Sequence, residues 1–211
     1  MPPNNALADP LVASSYFSPE GGEAYKPLRD AMVAQAAAMG YEVATMTEHG
    51  IIWADDQDPF GHVGGATYAR LTFKVNYRVF ESFGKTLGAR YDDLVRATGV
   101  GCIIRNYNTV LKRQVRYPDC LLTAVRISEV QPDRYYAITT MWSYQQQAIV
   151  AECSGDIGFF DYSKNKPANL LEYGGVYADL HRELCERSKN SNELYSQWVA
   201  DHPKSGKRAK L

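Results

Sequence analysis

Between Trp53 and Tyr68 the chain reads Trp-Ala-Asp-Asp-Gln-Asp-Pro-Phe-Gly-His-Val-Gly-Gly-Ala-Thr-Tyr, placing three carboxylates, a histidine and a glycine pair within 16 residues. A carboxylate can take a proton from water or attack a carbonyl carbon itself. Backbone N–H groups at a helix N-terminus carry partial positive charge and can polarise a carbonyl oxygen. Together these are the minimum equipment for cleaving an acyl bond.

Such a loop works only if ordered elements hold it. From Gly101 onward the sequence is dense in Val, Ile, Tyr, Thr and Leu, cut by Tyr117-Pro-Asp119, Gln131-Pro-Asp133 and Gln145-Gln-Gln147. This pattern predicts antiparallel strands near Cys102 to Arg113, Cys120 to Glu129, Arg134 to Tyr144 and Ala148 to Phe160. An earlier strand is expected over Glu48 to Ala54, with Asp55 and Asp56 as polar groups at its end. Helices are expected over Tyr25 to Met39, Tyr91 to Ala97, Val176 to Glu186 and Glu193 to Val199, with Asn190-Ser-Asn192 as a cap and turn between the last two.

The stretch after the loop supports two readings. Ala69, Leu71, Phe73, Val75, Tyr77 and Val79 alternate with polar partners, which is the period of a strand. Gly65 to Gly84 nevertheless runs 20 residues without a turn signal. Leu71, Val75, Val79 and Phe83 also satisfy a four-residue helical step. Mean strands have only about 5–6 residues, so length favours a helix.

Bulk properties narrow the partners. The 211 residues suit one domain, here residues 23–203, between a loose Pro/Asn/Ser/Ala/Gly-rich arm at 1–22 and a basic tail at 204–211. Apolar residues make up 45% and charged residues 22%, a globular composition, and no apolar run approaches the roughly 18 residues of a membrane span. A net charge of −1 offers no field for nucleic acid. Cys102, Cys120, Cys153 and Cys185 are single residues far apart, read as reduced thiols, and His49, His62, His181 and His202 complete no metal-ligand spacing with them. The 15 tyrosines read mainly as sheet-surface residues, Tyr68 being the one placed to do more. The chain ends Ala209-Lys210-Leu211, a close variant of the Ser-Lys-Leu peroxisomal address, after Lys207 and Arg208. A peroxisomal import receptor is therefore an expected partner, with the cytoplasm as the alternative location.

A strand, an Asp-Pro-Phe-Gly-His-Val loop, a long helix and a strand meander resemble the hot-dog fold. The loop is similar to that of acyl-CoA thioesterases of the 4-hydroxybenzoyl-CoA thioesterase-like branch, through Asp58, Gly61, His62, Val63 and Tyr68. The Tyr117-Pro-Asp119 turn and the Gly158-Phe-Phe-Asp161 strand end extend the resemblance over roughly Glu48 to Asp161. It implies an α+β fold in which a long antiparallel sheet wraps a central helix from Gly65 to Gly84, with N- and C-terminal helical extensions. It also implies a homodimer or homotetramer with an acyl-CoA thioester as substrate. Coenzyme A is then part of that substrate, with no separate cofactor or metal.

The resemblance places the catalytic carboxylate on Asp58, as nucleophile or as general base toward water. It places the carbonyl-polarising backbone N–H on Gly65. Phe60, His62, Gly64, Tyr68 and Arg113 are the candidate substrate contacts; Phe60 and Trp53 read as packing residues, Phe60 being the better candidate of the two for touching an acyl chain. Lys112, Arg113 and Arg116 could meet the phosphates of coenzyme A or form a solvated strand end. Asp58 could equally be an Asx-turn residue before Pro59, and His62 could simply bond its own loop. The chain departs from the family where an Asn-Asn pair becomes Gly64-Gly65. That change keeps a backbone donor and loses an amide side chain. Competing activities are a hot-dog hydratase or dehydratase, whose Asp/His spacing is absent here, and a non-hydrolytic acyl-binding or biosynthetic role.

Overall fold

The computed structural model describes residues 26–203; the arm at 1–22 and the tail with Ala209, Lys210 and Leu211 lie outside the described residues. Helix α1 (Lys26–Ala38) leads into strand β1 (Thr47–Gly50), helix α2 (Gly65–Ser82) and the short helix α3 (Tyr91–Arg96). Strands β2 (Val100–Leu111), β3 (Cys120–Gln131), β4 (Arg134–Ser143), β5 (Ala148–Asp161) and β6 (Lys166–Pro167) follow, and helix α4 (Val176–Asp201) ends the described chain. The strands pair antiparallel in the order β1-β3-β4-β5-β2, with β6 against the end of β5. This is the hot-dog arrangement, a curled sheet around the central helix α2, with helices at both ends of the chain.

Burial along α2 shows why the ambiguous stretch is helical. Tyr68, Leu71, Thr72, Val75, Asn76 and Val79 are buried, at the three- and four-residue steps of one helix face. Tyr77, which an alternating strand would put on the same face as Val75 and Val79, is 61% exposed. The buried face meets Leu121, Val125, Ile127, Met141 and Ile157 of the sheet. On the sheet's other face, Met32 and Ala36 of α1 pack with Leu122, Ala124, Trp142 and Tyr144, and Tyr195 and Trp198 of α4 close that layer. The first eight residues of β3 are therefore buried whichever way they point.

Two expected elements take different forms. The early strand stops at Gly50, and Trp53–Asp56 makes a helical turn. That turn is stabilised because the Asp56 carboxylate reaches back to accept the Ile52 N–H at 2.7 Å. The two C-terminal helices are one, α4, running through Asn190-Ser-Asn192. Asn192 finds a tertiary partner in place of a capping one, its amide donating to the Ser128 carbonyl at 2.8 Å, and Ser191 is buried. Gly40, at φ +81°, allows the approach, since a Cβ there would sit 2.4 Å from the Ser191 carbonyl oxygen. Because β1 pairs β3 only as far as Thr123, α4 and the Glu42 backbone cover the rest of that open edge.

Candidate active site

The loop between the helical turn and α2 is tied at its base by a bridge between Gln57 and Val63. At its tip Gly61 adopts φ +75°, and the Asp58 N–H donates to the His62 carbonyl at 2.7 Å. The Val63 N–H donates to the Val115 carbonyl and the Gly64 N–H to the Asp56 carbonyl, each at 2.8 Å, which seats the loop between β2's trailing segment and the helical turn. Asp58 folds over the loop, its Oδ1 accepting the Phe60 N–H at 2.9 Å and the His62 N–H at 3.0 Å. The His62 N–H, with the Phe60 N–H beside it, holds the Asp58 carboxyl below the usual carboxylate range, so it is ionised at neutral pH. Both loop bonds fall on Oδ1, and among the described residues Oδ2 has no hydrogen-bond partner.

Gly65 is the first residue of α2, where an N–H has no intrahelical acceptor. Among the described residues no other group accepts it either. A Cβ on Gly64 would lie 3.9 Å from the Asp58 Cβ, which puts the carboxylate close to the head of the helix. A cavity of about 340 Å³ opens there, lined by Asp58, His62, Gly65, Tyr68, Lys112 and Arg113 among others. It brings together an anionic oxygen, an unused donor at a helix N-terminus and two cationic side chains. The arrangement can hold a carbonyl between a nucleophile or base and a polarising dipole, with a negatively charged group near its mouth.

The remaining expected residues fall in distinct places. Tyr68 is 1% exposed and backs the cavity; burial, with the nearby Asp119 charge, pushes its phenol up to about 12, so it stays neutral. His62 accepts a hydrogen bond at Nε2 from Arg116 at 2.6 Å, which fixes the ring at the rim and occupies the Arg116 guanidinium. Lys112 pairs with Glu152, whereas Arg113 makes no ion pair among the described residues. Phe60, the better candidate for touching an acyl chain, sits at the loop tip, 79% exposed and outside the cavity lining. Trp53, expected to pack, is 49% exposed. Gly64 caps α2 beside the cavity without lining it.

Asp56 is the residue that sequence reasoning misplaced. It is not a solvated strand-end group but a buried anchor: His49 Nε2 donates to it at 2.8 Å, Thr67 Oγ1 at 3.1 Å, and the Arg70 guanidinium pairs with it. Burial alone would raise its pKa; the His49 hydrogen bond, the Ile52 N–H and the Arg70 charge outweigh burial and leave it lowered. One carboxylate thus links β1, the helical turn and the first two turns of α2. The signal available in the sequence was Thr67 and Arg70 three residues apart on one helix face, two groups able to serve one buried acid.

Residues 52–173 match the model of the thioesterase-like superfamily. Among curated proteins no sequence relative is found. Similar solved structures include a DHNA-CoA thioesterase from Staphylococcus aureus, at 18% identity and a TM-score of 0.51, covering 74% of this chain and 90% of that one. The Escherichia coli protein YbaW is similar at 15% identity and 0.51, over 68% of this chain and 97% of that one. A further Staphylococcus aureus protein, solved in complex with CoA, is similar at 12% identity and 0.51, over 72% and 84%. At these identities the likeness is one of fold, but the matched segment holds the whole loop, the central helix and the meander, and spans more than half of the sequence. The chain belongs to the thioesterase-like superfamily.

Proposed function

We propose that the protein is an acyl-CoA thioesterase, hydrolysing a fatty or aromatic acyl-CoA to the free acid and coenzyme A. The observation that carries this reading is the pairing, in one cavity, of the ionised Asp58 with the unused Gly65 N–H at the head of an 18-residue helix. A thioester carbonyl needs little ground-state activation, because sulfur donates weakly into it. One oriented carboxylate and one helix N-terminus therefore suffice. Asp58 Oδ2 either attacks the carbonyl carbon, giving a mixed anhydride that water then opens, or takes a proton from the attacking water. In both routes charge builds on the carbonyl oxygen, where the Gly65 N–H receives it, and the coenzyme A thiolate leaves.

Arg113 and Lys112 at the mouth suit the phosphates of coenzyme A, and Tyr68 forms the neutral back wall for the acyl group. His62, fixed by Arg116, shapes the rim. The family's lost Asn-Asn pair removes an amide from the helix head but leaves the Gly65 donor, so hydrolysis stays feasible with more room beside the carbonyl. Ile103, Val110 and Leu111 of β2 are 40%, 52% and 54% exposed on an edge strand that, among the described strands, pairs with β5 alone. That edge suits a second copy of the chain, so the working unit is a homodimer or a homotetramer built from it. The Ala209-Lys210-Leu211 terminus supports import into the peroxisome, where acyl-CoA turnover would place its substrate.

The test is release of free thiol from a panel of aliphatic and aromatic acyl-CoAs by the wild type and Asp58→Asn. The expected result is a loss of at least about a hundredfold in kcat for the variant, with acyl-CoA binding retained. Binding of acyl-CoA with no thiol release by the wild type would instead support a non-hydrolytic role.

A further inference from the structure

A second cavity, of about 210 Å³, lies at the covered edge of β3, between α4 and the segment after α1. Its walls include Glu42, Val79, Arg126, Arg187, Ser191 and Leu194. Most of this lining comes from before residue 52 or after residue 173, outside the part that matches the superfamily. The cavity is therefore a feature of this chain's own extensions.

Its two arginines are held differently. Arg187 pairs with Glu42 and Glu183 and donates to Ser82 Oγ at 3.0 Å. Arg126 is only 7% exposed and, among the described residues, has no carboxylate within ion-pair distance. Its guanidinium rests 4.0 Å over the Tyr195 ring, donates at 3.3 Å to the Asn192 amide oxygen and hydrogen-bonds the Tyr41 hydroxyl, all neutral partners. Nε has no hydrogen-bond partner, nor does the hydroxyl of Ser191, itself 6% exposed. A nearly buried cation without a counter-charge is costly, and buried charges are ordinarily paired. Beside it stand Val79, Val125, Ile127 and Leu194, an apolar wall. The volume is roughly seven times that of a liquid water, enough for a short organic body and too small for coenzyme A.

We propose that this cavity is a second ligand site, taking a small carboxylate with an apolar body, its anion supplying the missing partner of Arg126. The site is separate from the cavity of Asp58 and Gly65 and does not depend on the hydrolytic reading. Its occupancy locks α4 against β3, because the ligand would touch both.

Calorimetric titration of the full chain with hexanoate, with hexanol and inorganic phosphate as controls, tests it. Hexanoate should bind saturably while hexanol and phosphate do not. Arg126→Gln should weaken hexanoate at least about tenfold, the effect of removing one charge-assisted hydrogen bond, and Asp58→Asn and Arg113→Ala should leave it unchanged. Should Arg126→Gln fail to fold, Leu194→Trp, which fills the cavity from a half-exposed helix position, should abolish binding instead. No saturable hexanoate binding would overturn the proposal. So would equal binding of hexanol or phosphate, or binding lost in Asp58→Asn or Arg113→Ala and kept in Arg126→Gln.

Discussion

At the level of single residues, Asp58 is an Asx-turn residue through Oδ1, and because Oδ2 takes no part in the turn, that role is compatible with the catalytic one proposed for it. The Asp58, Gly65 and Tyr68 spacing was legible because all three lie within 11 residues joined by one loop and one helix turn. Asp56 was not, because its partners His49, Thr67 and Arg70 meet it only after β1 and α2 are packed. The lowered pKa of Asp58 predicts that kcat/KM stays flat on acidification until below the ordinary carboxylate value of 3.8, read from a pH–rate profile. Asp119, beneath Tyr68, behaves oppositely: burial raises its carboxyl to about 6, against donors from Ser143, Gln145 and Cys120. A raised acid stabilises the fold when protonated and loses that contribution as pH rises through its folded pKa. Asp119→Asn should therefore flatten the pH dependence of Tm between about 4 and 6, removing a slope of roughly 1.4 kcal/mol per pH unit.

At the level of elements, α2 is the part whose identity alternation alone would have misassigned. Phe73 and Tyr77 imitate a strand face, and only the exposure of Tyr77 separates the two periods. The continuity of α4 was hidden because Asn192, which reads as a cap, finds its partner at Ser128, far away in sequence; the helical turn at Trp53–Asp56 rests on a local bond from the Ile52 N–H to the Asp56 carboxylate, inside a stretch whose pattern reads as a strand. The Asp56 anchor is what holds β1 and α2 in register with the Asp58 loop. Asp56→Ala leaves the buried His49 and the Arg70 guanidinium without their acceptor and should cost about 3 kcal/mol in denaturant unfolding. A loss below about 1 kcal/mol would mean that the anchor is replaceable by water.

At the level of the whole molecule, the antiparallel meander was readable from its turn residues, and four of its long strands begin and end within two residues of expectation. The sequence left open whether the C-terminal helices cover this sheet or an adjacent subunit; α4, together with α1, buries the outer face of this sheet and covers the edge of β3. That cover leaves β2 as the open edge. Val110→Lys and Ile103→Lys, placed on that edge, should shift the protein to a monomer in light scattering, with Tm nearly unchanged. Removal of Ala209, Lys210 and Leu211 should move a fluorescent fusion, tagged at its N-terminus, from peroxisomes to the cytosol.

If the backbone N–H of Gly65 polarises the thioester carbonyl, as proposed, removing that N–H alone must slow hydrolysis while leaving α2 folded. Gly65 occupies the first helical position, where proline fits and lacks only the N–H, and a Cβ there meets nothing within 4 Å. Thiol release should therefore be compared in Gly65→Ala and Gly65→Pro, with circular dichroism and Tm to show that both fold. Gly65→Ala should keep kcat near wild type and gain up to about 1 kcal/mol in stability, while Gly65→Pro should lose about a hundredfold or more in kcat. A folded Gly65→Pro protein that releases thiol as fast as Gly65→Ala would rule out a catalytic role for the Gly65 N–H.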